Sequence, residues 1–135
     1  MPIPLLLAAA AIASALPLGE LPPQVLAKDQ CAMFLWDRAS ERRVAMVLVK
    51  PLSLRVMRGA SVVTLPASDA GTGEPVLGFP SGLRFGDTSG AIAIDAVIVP
   101  NDGGTGGVVR DAIITMTLPT GEAIVAPVAG LVGCG

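Results

Sequence analysis

Cys31, in "AKDQCAMFLW", and Cys134, in "PVAGLVGCG", are the only cysteines of the chain, and they stand near its two ends. A catalytic redox pair calls for close spacing such as C-x-x-C and a lowered thiol pKa. Two distant thiols suit a structural bond in an oxidising compartment. They cannot supply a four-thiolate zinc site. The spacing therefore predicts a Cys31–Cys134 disulfide that ties the first strand of the fold to the last. Closing a loop of about 100 residues contributes up to ~4.7 kcal/mol in the chain-entropy account.

The rest of the chemistry is bounded by what the chain lacks. It has no histidine, so Ser-His and Cys-His catalysis is excluded, and the usual zinc sites lose their imidazole. Asp95, Asp87 and Lys50 remain as the residues an enzyme using carboxylate, lysine or serine chemistry would draw on. Asp95 interrupts an apolar run, between Ile94 and Ala96, on the face opposite Ile92, Ile94 and Ile98. A glycosidase would need a second acid across a cleft lined with aromatic rings. Only Phe34, Trp36, Phe79 and Phe85 are aromatic. "GTGEPVLG" (71–78) departs from G-x-G-x-x-G and has Pro75 where a helix should start. "NDGGTGG" (101–107) offers too few oxygen ligands for calcium. "GDTSG" (86–90) reads as a turn. No catalytic, cofactor or metal residue is assigned.

Charge is uneven. Between Lys28 and Arg58 there are seven basic residues against Asp29, Asp37 and Glu41. From Gly59 onward two basic residues face seven acidic ones, and the whole chain carries −2. Arg38, Arg42, Arg43, Arg55 and Arg58 could form a face for an anionic partner. The competing reading is solvated charge that keeps apolar strands from aggregating. The net charge does not point to nucleic acid.

The elements that would position these residues follow from the pattern. Residues 1–15 carry an apolar run from Leu5 to Ala13, too short to span a bilayer, and Ala13-Ser14-Ala15 fits a cleavage site after Ala15. No basic residue precedes the run. Lys28 and Asp29 stand where a lipoprotein box would have to be, which rejects lipidation at Cys31. Residues 16–30, "LPLGELPPQVLAKDQ", form an extended lead-in because proline removes backbone donors. From residue 31 to 135 short alternating runs recur between turn residues, with no helical period. "RVAMVLVK" (43–50) is apolar on both faces and predicts a central strand. "LSLRVM" and "SVVTLP" form a hairpin. "AIAIDAVIV", "VVRDAIITMTL" and "EAIVAPVAGLVGC" are later strands, with a turn at "PTG" (119–121) and an edge or bulge at Pro127. The expectation is one all-β domain, a small antiparallel sandwich or partly open barrel.

The Cys ahead of "FLW", the "LRV" hairpin closing on "VVTL", and the end "PVAGLVGC" resemble small uncharacterised exported β-domain proteins of Gram-negative bacteria. The resemblance spans Cys31 to Cys134. It implies a periplasmic or secreted domain and no particular activity. The expected role is non-enzymatic, binding or structural, with an anionic envelope component or another envelope protein as partner and no membrane span after cleavage. One alternative is a subunit of an envelope assembly that pairs by a strand edge. The other is a hydrolase using the carboxylate, lysine or serine chemistry above.

Overall fold

The computed structural model describes residues 16–87, 90–103 and 105–135. The predicted signal segment, 1–15, lies outside them. Eight strands follow in order: β1 (Cys31–Asp37), β2 (Arg43–Leu48), β3 (Ser53–Arg58), β4 (Ser61–Pro66), β5 (Gly82–Asp87), β6 (Gly90–Pro100), β7 (Gly107–Thr117) and β8 (Ala123–Cys134). They form one antiparallel sheet, ordered β4-β3-β2-β1-β8-β7-β6-β5. Each strand lies beside its neighbour in sequence, and β8 lies beside β1, so the sheet curls into an up-and-down barrel that is almost closed. It is a single sheet and not a sandwich.

Alternation decides what fills the barrel. Met33 and Leu35, Leu54 and Val56, Leu83 and Phe85, and Ile92 and Ile94 are all at most 1% exposed and share one core with Ile114, Val128 and Val132. An eight-stranded barrel is just wide enough for side chains to fill. Phe79, from the long connection between β4 and β5, is also wholly buried there.

β2 is buried on both faces, and for two different reasons. Ala45 and Val47 point into the barrel. Met46 and Leu48 form a second, outer cluster with Ala32 and Leu21. The proline-rich lead-in lies across that outer face. Its Gly19 N–H donates to the Met57 carbonyl at 3.0 Å, and its Leu21 N–H to the Arg43 carbonyl at 2.8 Å. So the run that reads as a central strand is central in the sheet and roofed as well.

Two local predictions have clear physical outcomes. At "PTG" the Gly121 N–H donates to the Leu118 carbonyl at 2.8 Å, closing a four-residue turn with Pro119 second and Gly121 fourth. Pro127 sits in β8, which is an interior strand, but it is spared a lost ladder bond. β1 ends opposite Val128, and the Pro127 carbonyl, on the side β1 has vacated, accepts from the Arg38 N–H at 3.3 Å. A residue's N–H and C=O point the same way in an antiparallel strand, so the missing donor faces where no strand continues. β7 is also irregular beside it, between Val109 and Ala112.

Candidate functional site

The two cysteines are bonded. Cys31 and Cys134 are direct cross-strand partners in the β1–β8 ladder, with α-carbons 4.0 Å apart. The next pair outward is joined by the Gly135 N–H to the Gln30 carbonyl at 2.7 Å. Since bonded and non-bonded pairs alternate, Cys31 and Cys134 occupy a non-hydrogen-bonded position, where the backbones approach most closely. Two register pairs beyond Met33–Val132, the bond closes one end of the barrel.

The five arginines do not share one face. Arg43 and Arg55 serve the lead-in: Arg43 donates to the Leu21 carbonyl at 3.3 Å, and Arg55 Nη1 to Gln24 Oε1 at 2.9 Å. Arg38 reaches the other way, over β8 and β7, to the carbonyls of Val128 at 3.5 Å and Arg110 at 3.3 Å. Arg42 is exposed in the β1–β2 turn. Arg58 ends β3, half-buried beside Pro17 and the Ala91–Ile92 stretch of β6. Arg38, Arg43 and Arg55 thus bind the chain's own backbone or lead-in, a role that spacing alone does not reveal.

Asp95 is exposed on the outer face, opposite the isoleucines as its alternation predicts. It shares a shallow depression of about 340 Å³ with Ser81 and Asp111. Asp111 escaped the sequence reading because the pairing of β6 with β7, Val97 opposite Asp111, brings it near. Lys50 is far along the chain's other half, by a hollow that also holds Lys28 and Cys31. The Asp87 side chain and the turn residues 88 and 89 lie outside the described residues. Two exposed carboxylates and a hydroxyl on an open surface can hold a solvated cation loosely. Among the described residues no group of three or more His, Cys, Asp or Glu could hold a metal ion.

The turn after β1 is organised by Asp37, one of the few buried polar residues. Its carboxylate accepts from the Ala39 N–H at 3.1 Å and from Ser40 Oγ at 3.2 Å. It sits at the inner edge of a shallow cleft of about 680 Å³, lined by Trp36, Arg38, Glu41 and Leu131. An apolar row crosses the outer surface from there. Val99 pairs with Val108, Val108 with Leu131, and Leu131 with Phe34.

One feature concerns backbone instead of side chains. In the order of the sheet β4 has only β3 as a neighbour among the described residues. On its other side the chain beyond Pro66 meets β5 at a single bridge, Ala67 to Phe85, supported by the Ser68 N–H to the Arg84 carbonyl at 2.8 Å. Farther on, Thr72 and Gly82 exchange bonds of 2.8 and 3.0 Å and cover the edge of β5. Continuing the bridge's register sets Leu65 opposite Asp87, the last residue of β5. The same register sets Thr64 and Val63 opposite residues 88 and 89, which lie outside the described residues.

The parity of those residues follows from the hairpin. Arg58 and Ser61 flank a two-residue turn and are a hydrogen-bonded pair, as are Val56 and Val63. Val62 and Thr64 therefore turn their N–H and C=O groups away from β3. Val62 is 41% exposed, and Val63 is only half-buried although it points to the core. Edges in natural sheets are ordinarily blunted by charge, proline or a covering loop. This stretch, "SVVT", holds no charge, and its proline comes at its far end. The sequence signal for it is the long connection 67–81, which separates one four-strand meander from the next. No known protein family, no curated protein and no solved structure matches the chain.

Proposed function

We propose that the chain is an exported, non-enzymatic binding domain of the envelope that pairs with a partner protein through the edge of β4. The observation that supports this reading is that β4 ends the strand order of the sheet, carries no charge from Ser61 to Thr64, and has Val62 41% exposed on its outer face. Backbone groups left free at a sheet edge are a template for an added strand. The Cys31–Cys134 bond supports an oxidising compartment, periplasmic or extracellular, as the place of action. The apolar interior, with charges outside, supports a barrel working in water, since membrane barrels carry the opposite arrangement. β1 to β5 are six or seven residues long, below the roughly 9–11 that a spanning strand needs. An anionic partner draws less support, because Arg38, Arg43 and Arg55 are engaged within the chain.

Site-specific photo-cross-linking tests the reading. The full chain is expressed in a Gram-negative host with the cross-linker at Val62 or, as a control, at Val125, which is 45% exposed on β8. The expected result is one adduct from position 62, none from position 125, and an oxidised cysteine pair. Adducts from both positions alike, or free thiols in the exported protein, would overturn it. A hydrolytic activity removed by Asp95→Asn would favour the enzymatic alternative.

A further inference from the structure

The lead-in covers the outer face of β2 and β3, but it matches that face only in part. We infer that this face is a docking surface for an extended acidic segment of a partner protein, which displaces the lead-in. The inference does not depend on the β4 edge. Its first support is the way Arg43 is aimed. Ala45 and Val47 point into the barrel, and plain alternation would send Arg43 there too. The ladder between β1 and β2 breaks at this point. Leu35 pairs with Ala45 but Trp36 with Arg43, so Val44 is an extra residue. That bulge turns Arg43 to the outer face, a re-aiming that bulges commonly serve.

The second support is a mismatch of charge between the seat and the lead-in. The seat is apolar where Leu21 lies, 1% exposed in a cluster with Ala32, Met46 and Leu48. Beside that socket it is cationic, through Arg43 and Arg55. The lead-in answers both with neutral acceptors: the Leu21 carbonyl for Arg43 Nη2 at 3.3 Å and the Gln24 amide oxygen for Arg55 Nη1 at 2.9 Å. Arg43 Nε is buried and has no hydrogen-bond partner among the described residues. A carboxylate accepts from Nε and Nη2 of one guanidinium together, and a buried donor left unmade is costly. Glu20 and Glu41, acids near Leu21 and Arg43 in sequence, are exposed to solvent. Beyond Leu21 the lead-in lifts away, with Pro22 and Pro23 exposed and Val25 94% exposed. A segment with an apolar side chain in the Leu21 socket, one carboxylate at Arg43 and another in the place of Gln24 would satisfy the seat more fully. The engagement of these two arginines within the chain is then the resting occupancy of a site for an acidic partner.

Calorimetric titration and residue-resolved amide exchange on the purified full chain test this with two capped peptides. One has the sequence of residues 16–27 and the other the same sequence with Gln24→Glu. At ten times its Kd, the Gln24→Glu peptide should speed exchange at the chain's own Leu21 N–H about tenfold or more, because that amide gives up the Arg43 carbonyl, while β8 amides keep their rates. It should bind about fivefold tighter than the unchanged peptide, the upper value for an exposed ion pair, and the advantage should shrink at high salt. Arg55→Gln in the chain should make the two peptides bind alike. If that variant does not fold, the salt series on the parent still decides the matter. Equal affinities for the parent, an advantage that salt does not touch, or unchanged exchange at Leu21 would each overturn the inference. A photo-cross-link from position 25 to the barrel of a second copy, with doubled mass in sedimentation and no peptide present, would put a neighbour's lead-in in the seat and also overturn it.

Discussion

The barrel closes in two places, and the two seams are built differently. Where β1 meets β8, seven consecutive register pairs join the first strand to the last, and a disulfide sits at one end. Where β4 approaches β5, the described residues form a single bridge, Ala67 to Phe85. The first seam joins segments far apart in sequence, whose pairing costs the most loop-closure entropy. The second joins strands separated by a single connection. Covalent reinforcement is thus placed where the chain statistics oppose closure most strongly. The seam whose strands are closer in sequence carries no covalent bond.

The contrast can be broken most severely at the disulfide. Replacing Cys31 and Cys134 together by serine should cost about 2–5 kcal/mol in chemical denaturation, the usual range for small secreted domains. An unchanged midpoint would mean that the ladder alone holds the ends. Gly130 offers the next largest effect. It lies buried opposite Leu35, and a β-carbon there would run into the Phe34 carbonyl, which is backbone and cannot step aside. Gly130→Ala should cost about 3 kcal/mol, the upper part of the overpacking range. A loss below 1 kcal/mol would show the tight seam to be softer than its geometry implies.

The paired valines sharpen the comparison. Val56→Ala, at a fully buried site, should cost about 2 kcal/mol, and Val63→Ala, half-buried at the β4–β5 seam, about half of that. Equal losses in thermal melts would argue that the seam is as well covered as the rest of the core. The smallest effect belongs to Thr64→Pro, expected within about 0.5 kcal/mol of the parent. A large loss there would mean that the Thr64 N–H is bonded after all.

Much of this architecture was readable from residue order, because strands announce themselves by alternation. Ile92, Ile94 and Ile98 were placed on one face and Asp95 on the other, and the structure buries the former and exposes the latter. The cysteine pair was readable because so few other partners existed. What alternation cannot convey is which strands become neighbours. The proximity of Asp111 to Asp95 depends on the β6–β7 register, and the tasks of Arg38, Arg43 and Arg55 depend on segments tens of residues away. The double burial of β2 was visible as an apolar run, but its cause was not, since nothing local to residues 43–48 says that the lead-in will lie over them. That β4 and β5 end the strand order likewise depends on the pairing of β1 with β8, which no local pattern conveys.

The Cys31–Cys134 bond has a further consequence for the identity of the molecule. All eight strands lie between the two bonded residues, so peptide bonds and disulfide together form one covalent ring. Asp69 to Glu74, in the connection between β4 and β5, are mostly exposed, the kind of surface loop that proteases nick. A single cut there would open the ring without dividing it. It would leave two four-stranded halves, β1–β4 and β5–β8, still linked through sulfur and still paired along the β1–β8 ladder. Such a nicked barrel would migrate as one species until a reductant is added, and only then as two fragments. Wherever proteases are common and reductants scarce, the ring turns what would be a severed chain into one that keeps its parts together.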